Sequence, residues 1–232
     1  MFTYGGFEHS LTPAYSGSYE ELHGADGKLW LERGGVFVLA NIRGGGEFGP
    51  AWHTSVLTEN RSKCCEDFEA VARDLVLRKI TSAAHLGSEG RSNGGLLVAA
   101  TMVWHSERSG AVVCGNPLVD RQRYCRLLAG ASWVAEYGDP DVPEPWAYLK
   151  EYSPYPKVAA GRKLPPVMSD TSTQDDRVHP GHARKMAAKR ESMGYAADYY
   201  DNTAGGHHGS VTNERLATRR ARTLGFLWAK LK

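Results

Sequence analysis

The chain has 232 residues, 41% hydrophobic and 23% charged, enough for one sizeable α/β core and too few for two comfortable domains. A formal charge of +2, spread along the sequence, argues against a nucleic-acid or membrane surface and leaves a small molecule or peptide as the expected partner. No run reaches the roughly 18 to 20 apolar residues that span a bilayer, the start lacks the basic-then-apolar build of a signal peptide, and the four cysteines form neither a disulfide-scaffold density nor a CxxC pair, so a reduced, metal-free, cytoplasmic protein is expected.

In chain order, Tyr4-Gly5-Gly6-Phe7 reads as the end of a strand whose beginning is missing, followed by a surface loop through about Gly27. Residues 36–40 are a continuous apolar run, the mark of a strand buried on both faces. The glycine-rich loop 41–47 that follows lacks the GK[ST] ending of a phosphate-binding loop and does not run into a helix, so a phosphate cradle is set aside. Across 65–79, Phe68, Val71, Ala72, Leu75 and Val76 recur with the period of an amphipathic helix. A short strand at 85–89, a helix buried all round at 96–103 and a strand at Ala111–Gly115 come next. From 120 to about 161 the periodicity fails, and Trp133, Tyr137, Trp146, Tyr148, Tyr152 and Tyr155 crowd a long irregular insertion. A strand at 166–169, a helix at 180–193, a strand at 196–200 and a last helix at Asn213–Leu231 complete the pattern, with Leu216, Leu224, Leu227, Trp228 and Leu231 expected to face the sheet. This alternation predicts an α/β fold in one domain, 1–232, with a mostly parallel sheet and helices on both faces.

In such a sheet, chemistry collects on the loops beyond the carboxyl ends of the strands. Gly90-Arg91-Ser92-Asn93-Gly94 fits the GxSxG nucleophile elbow, which needs small residues around a serine where a strand turns at once into a helix. By itself the pattern is more often an ordinary turn. Ser92 is then a candidate nucleophile, and the Asn93 N–H, without an intrahelical partner, is free to bind an oxyanion. A second loop carries Asp175-Asp176-Arg177 and a third carries Gly205-Gly206-His207-His208-Gly209, the Ser, Asp, His chain order of an α/β-hydrolase. Serine needs an imidazole to take its proton, and the imidazole needs a carboxylate to fix its tautomer. Of nine histidines, only His207 and His208 lie in a glycine-flanked loop after a late strand, and either could serve as the base.

Seven blocks, Tyr4-Gly5-Gly6-Phe7, residues 41–49, Ser92-Asn93-Gly94-Gly95-Leu96, Glu136-Tyr137-Gly138, Tyr152-Ser153-Pro154, Asp175-Asp176-Arg177-Val178 and Gly206-His207, together resemble the catalytic domain of the prolyl oligopeptidase family of serine peptidases, in family order and nearly end to end. The resemblance implies an α/β-hydrolase fold and hydrolysis on the carboxyl side of proline in short peptides through an acyl-enzyme, with no cofactor or metal. It implies Ser92 as nucleophile, His207 as base and then acid, Asp175 as its orienting carboxylate, and the Tyr4 hydroxyl beside the Asn93 N–H as oxyanion donors. Arg177 would hold a substrate carbonyl, and Trp133, Phe7, Tyr137 and Val178 would line a proline pocket. The sequence departs from the family in three ways: Arg91 stands where glycine usually precedes the nucleophile, the histidine is doubled, and the segment 17–28 is longer. The family's β-propeller and the first strands of its hydrolase domain have no counterpart here. An esterase or acylaminoacyl-type hydrolase on the same triad, and a catalytically inactive fragment, are the alternative readings.

Overall fold

The computed structural model describes residues 1–12, 24–207 and 212–232. Four strands, β1 (Gly87–Arg91), β2 (Ala111–Gly115), β3 (Val167–Ser172) and β4 (Ala197–Asn202), lie side by side in sequence order, and every pairing is parallel. Helices α1 (Gly24–Leu31), α2 (Pro50–Thr54) and α3 (Ser62–Leu77) precede β1. Helix α4 (Asn93–Trp104) joins β1 to β2, while α5 (Val134–Tyr137), α6 (Pro143–Leu149) and α7 (Pro154–Lys157) lie between β2 and β3. Helix α8 (Gly181–Ser192) joins β3 to β4, and α9 (Asn213–Leu231) follows β4.

The pleat of β2 explains the layers. Successive side chains of a strand point to opposite faces, so Val112 and Cys114 pack with Phe68 of α3, Val98 and Met102 of α4 and Met186 of α8. Ala111 and Val113 pack on the other face with Met168, Leu227 and Leu231. Each such Val or Leu contributes about 1.5–3 kcal/mol on burial, which is why an uninterrupted apolar strand sits between two helical layers. Helix α4 is buried from Asn93 to Val103, as its all-round apolar pattern requires.

Four expectations are corrected. Residues 36–40 form no strand: Val36 is 57% exposed, and only Leu39 bridges, to Phe2. Phe2 itself bridges both Leu39 and Glu89, so the neighbour offered to the apolar run is one residue wide and no ladder can propagate along it. Of the surface loop expected through Gly27, residues 13–23 lie outside the described residues and Gly24 onward belongs to α1, whose Trp30 meets Trp228 edge-on at 5.7 Å. On α3, Val76 is exposed, and the buried stripe runs instead through Cys64, Cys65, Phe68, Ala72 and Leu75. On α9, Leu227 and Leu231 are buried but Leu216, Leu224 and Trp228 only partly so, and Arg219, Arg220 and Thr223 complete the buried stripe. The reason is a carboxylate on the sheet: Arg220 Nη1 donates to Glu89 Oε1 at 2.8 Å, both side chains buried.

The segment 120–161 folds into short helical turns around a second apolar cluster of Leu96, Leu118, Tyr124, Trp133, Tyr137, Leu149, Tyr152 and Val178. The buried Arg121 guanidinium stacks within it, 3.9 Å and 3.8 Å from the ring centroids of Tyr124 and Tyr137. Among the described residues no helix is long and apolar enough to cross a membrane.

Candidate active site

The carboxyl ends of the four strands each deliver one polar residue to the same edge of the sheet: Ser92 after β1, Asn116 after β2, Asp175 beyond β3 and His207 beyond β4. Ser92 has φ 55° and ψ −118°, a left-handed backbone that costs a non-glycine residue about 1–3 kcal/mol and that the surroundings must hold. Its N–H donates to Gly115 O at 2.8 Å, and its carbonyl accepts the Leu96 N–H at 3.1 Å. The turn closes tightly because Gly90 and Gly94 lack side chains: a Cβ on Gly90 would run into the Gly94 carbonyl, and one on Gly94 would lie 2.5 Å from Thr3 O. Ser92 stands at the N-cap of α4 without using its Oγ as a cap, and the Tyr4 hydroxyl lies near enough to feel it. Burial pushes the Tyr4 hydroxyl above the ordinary tyrosine range, against the pull of the Ser92 hydroxyl and of the Arg177 and Arg61 charges, so it stays protonated near neutrality.

A buried polar network fixes Tyr4 and Asn93. Asn93 Nδ2 donates to Tyr4 O at 2.6 Å, while its Oδ1 accepts from Arg61 Nη2 at 2.6 Å and from the Tyr137 hydroxyl at 2.7 Å. Arg61 Nη2 also reaches Gly5 O at 2.7 Å, and Nη1 pairs with Glu136 Oε1 at 2.6 Å. The same Glu136 accepts the Phe7 N–H at 2.9 Å and lies 2.7 Å from His53 Nε2. Beside it the glycine-rich loop is pinned by Arg43, whose Nε and Nη2 meet Asp67 at 2.8 Å and 2.6 Å, and its Gly44 carbonyl accepts the Glu8 N–H at 3.1 Å. That loop therefore braces the 4–8 segment.

Of the two adjacent carboxylates, Asp175 is buried and Asp176 exposed. His207 Nδ1 lies 2.8 Å from Asp175 Oδ2 and 3.0 Å from Oδ1. Asp175 Oδ1 accepts the N–H groups of Arg177 at 2.9 Å and Val178 at 2.8 Å, and Oδ2 accepts from Asn116 Nδ2 at 2.6 Å. Burial alone would raise this carboxyl, but the His207 and Asn116 hydrogen bonds and the Arg177 N–H outweigh it and hold the group below the usual aspartate range. Asp176 meets His207 only through the backbone N–H, at 3.4 Å. The alternative base, His208, lies outside the described residues.

The residues expected to line a pocket share the second apolar cluster, where Trp133, Tyr137 and Val178 are buried and Phe7 packs against them. Phe7 meets Tyr137 edge-on at 5.6 Å. Tyr137 is fully buried, so its ring backs the wall while its hydroxyl holds Asn93. Arg177 is exposed at the rim, close enough for its charge to be felt at Tyr4. A separate cavity of about 330 Å³, lined by Trp30, Phe37, Val38, Leu86, Trp228 and Leu231 among others, shares no residue with this group.

Asn116, Arg61, Glu136, His53 and Arg91 are site residues without an expected role. Glu136 lies inside one of the seven resembling blocks, and Arg91 inside the elbow, so a signal existed for those two; nothing local distinguishes the other three.

Residues 25–232 match the model of the prolyl oligopeptidase family. An uncharacterized peptidase of Sinorhizobium fredii is 48% identical over 231 residues, covering 100% of this chain and 31% of that protein. The prolyl endopeptidase of Elizabethkingia meningoseptica is 35% identical over 230 residues, 97% of this chain and 32% of that one. Among solved structures, a post-proline cleaving enzyme from Rickettsia typhi superposes with a TM-score of 0.94 at 36% identity, over 99% of this chain and 32% of its own. The chain thus spans about a third of the length of the curated relatives it matches.

Proposed function

The chain belongs to the prolyl oligopeptidase family and has its α/β-hydrolase fold, and from that premise we propose that it is the catalytic domain of a serine peptidase that cleaves short peptides on the carboxyl side of proline. The observation that carries this reading is the His207–Asp175 contact of 2.8 Å, on loops beyond the same strand ends as Ser92, whose hydroxyl does not cap its helix.

In this reading His207 Nδ1 faces Asp175 and Nε2 is the nitrogen that takes the proton. Ser92 Oγ attacks the scissile carbonyl as Nε2 takes its proton, and the tetrahedral oxyanion receives the Asn93 N–H and the Tyr4 hydroxyl. His207 then gives the proton to the leaving amine. An acyl-Ser92 ester remains, and water attacks it by the same steps in reverse roles. Asp175, kept ionised by its donors, stabilises the imidazolium that forms each time. Arg177 hydrogen-bonds a carbonyl on the acyl side, and Trp133, Phe7, Tyr137 and Val178 give a rigid, uncharged pyrrolidine flat apolar walls. Specificity for proline is supported by the names of the relatives, a prolyl endopeptidase and a post-proline cleaving enzyme. In the longer protein implied by those relatives, a β-propeller is the proposed companion of this domain.

A fluorophosphonate probe and a pair of substrates test this. Stoichiometric labelling that vanishes in Ser92→Ala, with turnover of a proline-amide peptide falling by roughly 10⁴- to 10⁶-fold, is the expected result. Turnover of a short acyl ester without any peptide turnover would replace the peptidase with an esterase, and a folded chain that takes no label would leave the inactive-fragment reading.

A further inference from the structure

Arg91, Gly115 and Asp170 occupy one rung of the sheet, since Arg91 pairs with Gly115 and Gly115 with Asp170 in the parallel register. Side chains on one rung of parallel strands point to the same face, and strands lie about 4.8 Å apart, so Arg91 and Asp170 are separated by roughly 10 Å of backbone. Only a long side chain spans that gap, and only over an empty middle position. Gly115 supplies it: a Cβ there would lie 2.5 Å from both Cζ and Nη1 of Arg91. The guanidinium lies against this glycine and pairs with Asp170: Nη1 donates to Oδ2 at 3.1 Å, while Nη2 lies 3.0 Å from Oδ1 without hydrogen-bonding it.

The guanidinium has a second partner. Arg91 Nη2 donates to Asn116 Oδ1 at 2.8 Å, and Asn116 Nδ2 donates to Asp175 Oδ2 at 2.6 Å. Arg91, Asn116, Asp170 and Asp175 are all buried, so these contacts act in a medium of low dielectric. A carboxamide is planar and carries an acceptor and a donor at its two ends. Once a cation fixes Oδ1, Nδ2 must face the carboxylate, because the flipped amide would turn its NH₂ toward the guanidinium and its oxygen toward Asp175. Arg91 therefore selects the amide orientation that Asp175 needs.

We propose that Arg91, acting through Asn116, is a positioning residue for the Asp175 carboxylate, so that the side chain next to the nucleophile also governs the basicity of His207. The inference rests on the reading of Ser92 and His207 as the reacting pair. Asn116 draws part of the Asp175 charge to Oδ2, and without that donor the carboxylate bonds more strongly to His207 Nδ1 but is free to rotate. The other charged groups around this line are Arg219 from α9, the Glu89–Arg220 pair one pleat back on β1, and the exposed Asp176 and Arg177 side chains of the Asp175 loop. None of these lies between Arg91 and Asp175 in the hydrogen-bonded series.

The test is the rate of fluorophosphonate labelling of the purified chain from pH 5 to 9. Asn116→Leu is expected to slow labelling by about 5- to 50-fold and to raise the midpoint of the acid limb by about 0.5 unit or more. Arg91→Met with Asp170→Asn, which removes the cation together with its counter-charge, is expected to move both quantities in the same direction. Combined with Asn116→Leu, it should add less than about twofold, because both act on one series. If that pair fails to fold, Arg91→Lys keeps the charge without the fork and is expected to shift the midpoint. Wild-type rate and midpoint in Asn116→Leu, independent multiplication of the two effects, or an unmoved midpoint in Arg91→Lys would overturn the proposal while leaving the active serine in place. An unlabelled wild-type chain would take down both.

Discussion

Asp175 and Asp176 are chemically identical neighbours divided by burial and hydrogen bonding. Asp175 collects the imidazole, an amide and two backbone N–H groups, and Asp176 only a backbone N–H at 3.4 Å. Asp175→Asn is therefore expected to lower kcat/KM for a proline-amide peptide by roughly 10³- to 10⁴-fold, since an amide leaves His207 in the wrong tautomer. Asp176→Asn should stay within a few-fold, and equal losses would contradict the assignment. At this scale the elbow is legible because its small residues are steric necessities with a fixed local spacing. Asn116 and Arg61 are not, because their meaning lies in partners distant in the chain: Asn116 meets Asp175 across 59 positions, and Arg61 meets Glu136 across 75.

Among the elements, strand 111–115 and helix 213–231 are readable because their burial patterns repeat, whereas 36–40 misleads because an apolar run expresses a preference for burial and not the presence of a pairing partner. The stripe of α9 shows a related limit. Arginines on a helix read as solvent-facing until a carboxylate on the sheet is known, here Glu89. Arg220→Leu is expected to destabilise the fold by about 3–5 kcal/mol in urea unfolding, because it leaves Glu89 buried without its cation; adding Glu89→Leu should recover most of that loss. Helix α8 carries a second test. His182, in its first turn, is buried, its Nδ1 accepts the Asp120 N–H at 3.2 Å, and burial lowers its pKa to about 4. The unfolded chain takes up this proton near pH 6.5, so the contribution is complete above that value and is lost as the pH falls toward 4. At pH 5 the loss is on the order of 2 kcal/mol. His182→Gln, which keeps an acceptor and does not titrate, should flatten the fall in urea midpoint between pH 7 and pH 5.

For the whole molecule, the alternation of strands and helices conveys the parallel sheet and its two helical layers, but not the aromatic cluster built from 120–161, which has no period to read. The four strands stand in the sheet in the order in which they occur in the chain, and each contributes one polar group at the same end. Ser92 follows the first and His207 follows the last. During synthesis the turn that holds the serine therefore emerges long before the imidazole exists, and the hydroxyl is no more reactive than any other alcohol until the final strand docks. On the proposed reading, a nascent chain of this kind is harmless to the peptides around it, and hydrolysis becomes possible only with completion of the sheet.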